Sequence, residues 1–173
     1  GSIVLPVGAG DDYGYAMAVQ PDGKVLLAGR AAEKLGDFAI VRLERDGKLD
    51  ATFGEGGKVM TDCAGKADTA NAIAVQPDGK IVVAGSTDGA GSSLDFALAR
   101  YEANGQLDTT FGQGGKVTTA LSNDADTAYA LLLDTDGSIV VGGDANSATT
   151  GLDVAIVRYA ADGKLLWKTT TPI

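Results

Sequence analysis

The chain has 173 residues, of which 45% are hydrophobic, so it is long enough to form a folded domain and too apolar for disorder. A net charge of −9 argues against nucleic acid and anionic membranes as partners, because both attract basic surfaces. The sequence has no histidine and one cysteine, which excludes an internal disulfide, Ser-His or Cys-His catalysis and a histidine-ligated zinc site.

The first predicted elements in chain order belong to a motif that occurs three times. The copies are QPDGKVLLAG at 20–29, QPDGKIVVAG at 76–85 and the more divergent DTDGSIVVGG at 134–143, at offsets of 56 and 58 residues. A fixed period of this size is the signature of a repeat architecture. In each copy a tight Asp-Gly turn separates two predicted strands.

The second copy shows the whole repeat most clearly. We predict strands at 70–76, 81–85 and 95–101, then a fourth strand built from 107–111 and 116–119 with a glycine-rich kink between them. Four antiparallel strands per repeat are typical of a propeller blade. The sequence therefore predicts an all-β propeller, one domain over 1–173, with blades at about 12–61, 68–119 and 126–171. The alternative, three independent sheets, would leave the faces of each sheet unburied.

The same segments carry a family resemblance. Residues 72–85, 95–101 and 107–117 closely resemble the bacterial delta-60 repeat, and the blade plan is similar to the NHL repeat. The third copy diverges, and its end at 162–168 resembles the blade ending of quinone-type propellers. The resemblance implies propeller blades of secreted or surface proteins in bacteria, hence an extracellular or cell-surface location. It implies no catalytic residue and no cofactor.

Loops that differ between the copies mark the face on which we expect a partner to bind. The turns within strand pairs one–two and three–four are short and nearly identical, whereas the loops between strands two and three and between blades vary. Function on a repeat scaffold usually lies in such insertions, although solvated loops would vary in the same way. The predicted ligand-binding residues are Asp12, Tyr13, Arg30, Glu33, Lys34, Asp68, Thr87, Asp88, Asp124, Asp126 and Asn146.

Polar residues that recur in every blade are interpreted as structural. A residue present in all blades fits an inter-blade hydrogen bond or a turn cap better than a unique site. The acidic stretches at 123–126 and 134–137 lack the full spacing of a calcium loop, so no metal is assigned and calcium stays an open alternative. The recurring residues are Asp12, Asp68 and Asp126 before strand one, Asp37, Asp95 and Asp153 before strand three, and Arg42, Arg100 and Arg158 on strand three.

Three blades are fewer than the four to eight of typical propellers. Residues 165–171 correspond to the first part of an internal fourth-strand region, and residues 3–6 correspond to the second part. We therefore expect a homodimeric six-bladed ring with twofold symmetry, in which each N-terminal segment completes the partner's last blade. The rival interpretation is an excised piece of a longer chain. The predicted assembly residues are Ile3, Val4, Leu5, Leu165, Leu166 and Trp167.

Three functional hypotheses follow. The preferred one is a non-enzymatic binding or scaffold module that holds a protein or glycan partner, because no catalytic constellation is seen. The second is a carbohydrate-active enzyme whose acid and base are Asp12, Asp68 or Asp126, facing the ring axis. Their repetition argues against it, since catalysis needs two carboxylates in different environments. The third is a designed or excised propeller fragment whose only activity is assembly.

Overall fold

The computed structural model describes residues 6–32, 36–64, 67–89 and 93–172. The named secondary-structure elements in these ranges are all β-strands. The strands form three four-stranded antiparallel sheets, one per repeat, which confirms the predicted all-β class. The first sheet contains β1 (Tyr13–Val19), β2 (Val25–Ala31), β3 (Asp37–Leu43) and β4 (Lys58–Thr61). The second contains β5 (Asp68–Val75), β6 (Ile81–Asp88), β7 (Leu94–Tyr101) and β8 (Lys116–Thr119). The third contains β9 (Asp126–Leu133), β10 (Ile139–Ser147), β11 (Gly151–Tyr159) and β12 (Leu165–Thr171).

Each sheet runs in chain order from an inner to an outer strand, so each repeat is one blade. The inner strands β5 and β9 contact the first three strands of the preceding blade. Every inner strand carries a bulge near its start, as between Ala70 and Ala72. The facing position must be glycine there, because a Cβ on Gly85 would lie 1.9 Å from the Thr69 carbonyl oxygen.

The fourth strand is shorter than the sequence predicted. In the second blade only Lys116–Thr119 pairs with β7, and Leu107 contributes an isolated bridge to Tyr101. The residues between them form turns instead of a strand. A turn at Asp108, in which the Phe111 N–H donates to the Asp108 carbonyl, ends the strand, and the positive φ angles of Gly112, Gly114 and Gly115 keep it from resuming before Lys116.

Two hydrophobic clusters lie between neighbouring blades. We call the face of a blade that packs on the next blade its forward face, and the opposite one its rear face. Phe38 and Ile40 on the forward face of blade one pack on Ala97, Ala99 and Tyr101 on the rear face of blade two. The second cluster repeats this arrangement one blade later: Phe96 and Leu98 pack on Ala155, Val157 and Tyr159. Large side chains therefore meet small ones, which permits close packing.

The chain leaves one forward face and one rear face without a neighbouring blade. On the forward face of blade three, Val154 and Ile156 are 41% and 37% exposed, whereas Phe38 and Ile40 at the equivalent positions are fully buried. The rear face of blade one is more covered, since Ala39 and Val41 at its centre are buried. Its remaining apolar residues are the exposed Met17 and Val19 and the half-buried Val25, Leu27 and Leu43.

The outer strand of blade three corrects the expectation that residues 165–171 supply only half of a strand region. β12 pairs Thr171 with Val154 and Lys168 with Val157, the register in which β4 pairs Thr61 with Phe38 and Lys58 with Val41. Lys168 also donates to the Ala120 carbonyl, as Lys116 donates to that of Asp62. This chain's own C-terminal strand thus fills the outer position. Ile3, Val4 and Leu5 lie outside the described residues.

Main-chain contacts fix the spacing at both junctions between blades. The Gly54 amide donates to the Asn104 carbonyl, and the Gly112 amide donates to that of Asp162, each at 2.8 Å. The turn glycine next to the acceptor approaches the preceding blade closely: a Cβ on Gly105 would lie 2.9 Å from the Phe53 ring and 3.0 Å from the Gly54 nitrogen. No larger residue fits at this position without moving the blades apart.

We therefore expect Gly105→Ala to destabilise the fold by more than Gly79→Ala. Both glycines have similar positive φ angles, 89° and 87°, so the backbone strain is shared, but the nearest atom to a Cβ on Gly79 is 3.8 Å away. The difference in unfolding free energy between the variants, measured with urea, isolates the clash and is expected to be about 1–3 kcal/mol. Equal destabilisation would show that the junction is not tightly packed.

Candidate functional site: the blade junctions and the loop face

A charged cluster lies beside each of the two internal junctions. In blade one the Arg42 Nε donates to Asp50 at 2.6 Å, and the Lys24 ammonium donates to the same carboxylate at 2.7 Å. In blade two Arg100, Asp108 and Lys80 make the equivalent contacts. Each carboxylate side chain is only 1% exposed, so it needs its cationic partners.

The arginine of each cluster also crosses the junction. Arg42 Nη1 donates to the Ala103 carbonyl of blade two at 2.5 Å, and Arg100 donates to the Ala161 carbonyl of blade three. Each guanidinium lies over an aromatic ring, with 4.5 Å from the Arg42 Cζ to the centroid of the Phe53 ring. We call the set of arginine, aspartate, lysine and phenylalanine the junction clasp. The sequence-based interpretation of Arg42 and Arg100 as inter-blade residues is consistent with these contacts.

The clasp sets the electrostatics of its aspartates. Burial alone would raise the pKa of Asp108, but hydrogen bonds from Lys80, Thr110 and Arg100 outweigh it and hold the pKa well below its usual range. Asp50 behaves in the same way with Lys24 and Thr52. Both groups are therefore ionised at neutral pH.

Blade three does not repeat the clasp. Leu166 stands at the position of Asp50 and Asp108, and Ser138 stands at that of Lys24 and Lys80. Arg158 instead binds Asp134 at 2.6 Å and Asp136 at 3.0 Å within its own blade. The arginine recurs in the sequence of all three blades, but in blade three it binds aspartates of its own blade instead of a neighbouring blade.

The three recurring aspartates before the inner strands hold the loops that precede them. Asp12 accepts backbone N–H groups of Val7 and Gly8, Asp68 accepts that of Cys63, and Asp126 accepts those of Leu121 and Ser122. Asp68 and Asp126 are fully buried. Burial raises the pKa of Asp68 above its ordinary value, despite its hydrogen bonds. The expectation that these side chains face an open axis is therefore wrong for Asp68 and Asp126.

Two of the predicted binding residues meet in one groove on the loop face, the end of the blades that carries the variable loops. The groove has a volume of about 320 Å³ and lies between the linker into blade three and the β10–β11 loop. Its lining includes Asp124 and Asn146 from the sequence prediction. It also includes Ser147 and Thr149, which belong to one of the variable loops predicted to form the binding face, and Ser122 and Asp153, which the prediction missed.

Asp153 lines this groove and has one carboxylate oxygen without a hydrogen-bond partner among the described residues. Its side chain is buried, with 7% exposed, and one carboxylate oxygen accepts the Thr150 hydroxyl at 2.9 Å. The other oxygen, Oδ1, has no hydrogen-bond partner among the described residues. A buried carboxylate oxygen without a donor is costly, so a ligand hydroxyl or amide that reaches it would be stabilised. Asp153 aligns with Asp37 and Asp95, and this recurrence hid it from the sequence prediction.

The remaining predicted residues do not join this groove. Tyr13 is half exposed and its ring stacks on that of Tyr15, with centroids 6.2 Å apart. Thr87 is fully buried in β6, and Arg30 and Asp88 lie half-buried in β2 and β6. Glu33 and Lys34 lie outside the described residues.

A larger depression, about 670 Å³, lies beside the outer strand of blade two. Its lining includes Gly112 and Asp162, whose main chains form the second junction, so its shape follows from blade packing. Within the described ranges, no group of three or more acidic or cysteine side chains is arranged to hold a metal ion. No helix there is long and apolar enough to cross a membrane.

Comparison with known families agrees with the geometry. A family model described as "Domain of unknown function (DUF5122) beta-propeller" matches residues 20–53, 76–111 and 135–165, more than half of the chain. The chain therefore belongs to this β-propeller family, which is consistent with the resemblance to the delta-60 repeat. The three matched segments correspond to the three blades. No curated protein matches the chain.

We expect Asp108→Asn to lower the free energy of unfolding by about 3 kcal/mol, because Arg100 and Lys80 lose a buried anionic partner. Urea denaturation at neutral pH measures the change. Asp162→Asn is the matched control, since Asn104 already makes the same turn hydrogen bond in blade two. Comparable losses in the two variants would contradict the clasp's role.

The acid dependence of stability gives an independent test. Because the folded pKa values of Asp50 and Asp108 are depressed, their stabilisation is complete above the unfolded pKa of about 4 and is lost as pH falls below it. Between pH 5 and 3 the Asp108→Asn variant should therefore lose less stability than the wild type, because its unfolding takes up roughly one proton fewer. Parallel pH profiles would contradict this assignment.

Proposed function

We propose that this propeller is a non-enzymatic scaffold module that binds a glycan or protein partner on its loop face and closes into a six-bladed ring with a second copy. The unpartnered Asp153 oxygen in the polar groove of blade three carries the binding half of the proposal. The apolar end faces of blades one and three support the assembly half. An extracellular or cell-surface location in bacteria is part of the same proposal and rests on the delta-60 resemblance.

The chemistry of the groove favours a glycan over a protein. Its walls present hydroxyls from Ser122 and Thr149, the Asn146 amide and the carboxylates of Asp124 and Asp153. Hydroxyl-rich ligands need many donors and acceptors in a small space, whereas protein interfaces usually centre on aromatic or arginine anchors. The groove volume of about 320 Å³ is at the lower end for a small-molecule site.

The geometry gives less support to the enzyme hypothesis. An acid–base pair must reach the substrate, but Asp68 and Asp126 are fully buried and bind the backbone of their own linkers. Asp12 is the most accessible of the three and is held by backbone N–H groups that lower its pKa, against the opposing effect of burial. A depressed pKa suits a structural anion better than a general acid.

The two end faces support ring closure. The forward face of blade three is the type of surface that blades one and two bury against a rear face, and the rear face of blade one has no neighbouring blade. In a pair of chains related by a twofold axis, each third blade meets the other chain's first blade, and both seams close at once. A ring of two chains then contains six blades, within the usual range for propellers.

Glycan-array screening, followed by calorimetry on a bound sugar, tests the binding half. We expect binding without hydrolysis, and Asn146→Ala should weaken it by roughly tenfold through loss of one ligand hydrogen bond. Asn104→Ala, on the opposite face, is the control. Unchanged affinity in Asn146→Ala would contradict the groove as the site. Turnover of the sugar that Asp12→Asn abolishes would establish the enzyme hypothesis instead.

Light scattering across a concentration series tests the assembly half. We expect a discrete species of twice the chain mass of 17.4 kDa at high concentration. Ile156→Glu should yield the single chain, because it places a charge in the middle of the uncovered forward face. Gln106→Glu, an exposed change on a short turn, should leave the dimer intact. A single-chain mass for the wild type at every concentration would refute ring closure.

A further inference from the structure

The two internal junctions share four cross-blade contacts. The arginine donates to a turn carbonyl, a glycine amide donates to the next carbonyl of that turn, and a tyrosine hydroxyl meets a threonine on the preceding outer strand. The fourth contact is apolar: Phe53 lies against Gly105, and Phe111 lies against Gly163. Both glycines are buried, and both phenylalanines are fully buried.

The end faces offer fewer of these contacts. Leu43 stands at the position of Tyr101 and Tyr159, so blade one has no hydroxyl to give. On blade three, Arg158 binds Asp134 and Asp136 of its own blade, and this repeat lacks the phenylalanine of the clasp. A seam between two copies therefore depends more on apolar contacts than the internal junctions do.

Trp167 is the aromatic residue that blade three has in this region. It pairs with Arg158 across the β11–β12 ladder, so both side chains lie on the forward face. In blade one the residue under the equivalent Arg42 is Phe53. The indole is 47% exposed, although a tryptophan on an apolar sheet face would gain by burial.

The turn of residues 44–48 in blade one is the matching element. Gly47 has φ of 83°, close to the 89° of Gly105 and 86° of Gly163, so this turn has the same shape as the two that receive a phenylalanine. A Cβ on Gly47 would meet nothing within 4 Å, whereas one on Gly105 or Gly163 would meet the preceding blade. Blade one thus has a turn of the same shape with no aromatic ring from the described residues against Gly47.

We propose that Trp167 of one copy packs against the Gly47 turn of the second copy, in the place that Phe53 and Phe111 occupy at the internal junctions. This inference rests on the ring closure proposed above and specifies its contact. The larger indole fills space that the phenylalanine and the arginine fill together inside the chain. A propeller of two chains has two such contacts, one at each seam between the chains.

The tryptophan is itself the probe, because the chain has only one. At concentrations where the mass is that of two chains, we expect its emission at shorter wavelength and acrylamide quenching several-fold weaker than in the single-chain Ile156→Glu variant. Dilution of the wild type should shift the emission in step with the mass. Trp167→Ala should raise the dimer dissociation constant by about tenfold or more, as for an aromatic interface anchor, and Trp167→Phe should retain most of the affinity.

A double-mutant cycle then tests the partner residue. Gly47→Ala should weaken association, while Gly79→Ala, which carries the same backbone strain, should not. Because the two residues touch in the proposed seam, Gly47→Ala should cost less in the Trp167→Ala background than in the wild type. A dimer whose tryptophan stays fully quenchable, or whose dissociation constant is unchanged by Trp167→Ala, would overturn this contact and leave ring closure standing. A single-chain mass at all concentrations would overturn both.

Discussion

The constraint on which this structure depends is that a four-stranded blade has two apolar faces and can bury each of them only against another blade. The two faces differ. The forward face carries large residues such as Phe38 and Phe96, and the rear face carries small ones such as Ala97 and Ala155 together with a tyrosine. Forward therefore packs on rear and not on itself, which gives the row of blades a direction and leaves a different face at each end.

Direction also explains the junction clasp. Apolar packing between sheets is not selective about small rotations, whereas the bond from the Arg42 guanidinium to the Ala103 carbonyl fixes one blade on the next at the edge of the apolar cluster that contains Phe53. The cluster keeps a buried anion, Asp50, so that the arginine is held in position to make this bond. The clasp thus positions one blade on the next. Blade three lacks it and differs in this from blades one and two.

Much of this fold could be predicted from the sequence, because the turn residues recur at the same positions in each repeat. The Asp-Gly turns and the β-branched second strands predicted the four-stranded blade. The length of the fourth strand could not be predicted, because the segment 107–111 looks like a strand, whereas a turn at Asp108 and the positive φ of Gly112 end the pairing there. The role of β12 was also missed: its strand register is visible only when its pairing with Val154 and Val157 is known.

The candidate site was predictable in part. Variation between copies identified the loop face, and with it Asp124 and Asn146. It could not identify Asp153, which looks like a repeated structural residue in sequence and differs from Asp37 and Asp95 in its deeper burial and in the groove around it. It also placed Asp68 and Asp126 in a binding face, since sequence alone does not show that their oxygens are used by the preceding linkers. The surroundings of each carboxylate in the folded chain distinguish an aspartate that lines the groove from one that holds a linker.

Small-angle X-ray scattering at high concentration tests most directly whether paired faces close the blades into a ring. A compact particle of two chains has an expected radius of gyration of about 20 Å, against about 16 Å for one compact chain. The account predicts the larger value, forward scattering of two chains and a disc-shaped envelope. Forward scattering of one chain, or an elongated two-chain particle in which only one seam has formed, would contradict it.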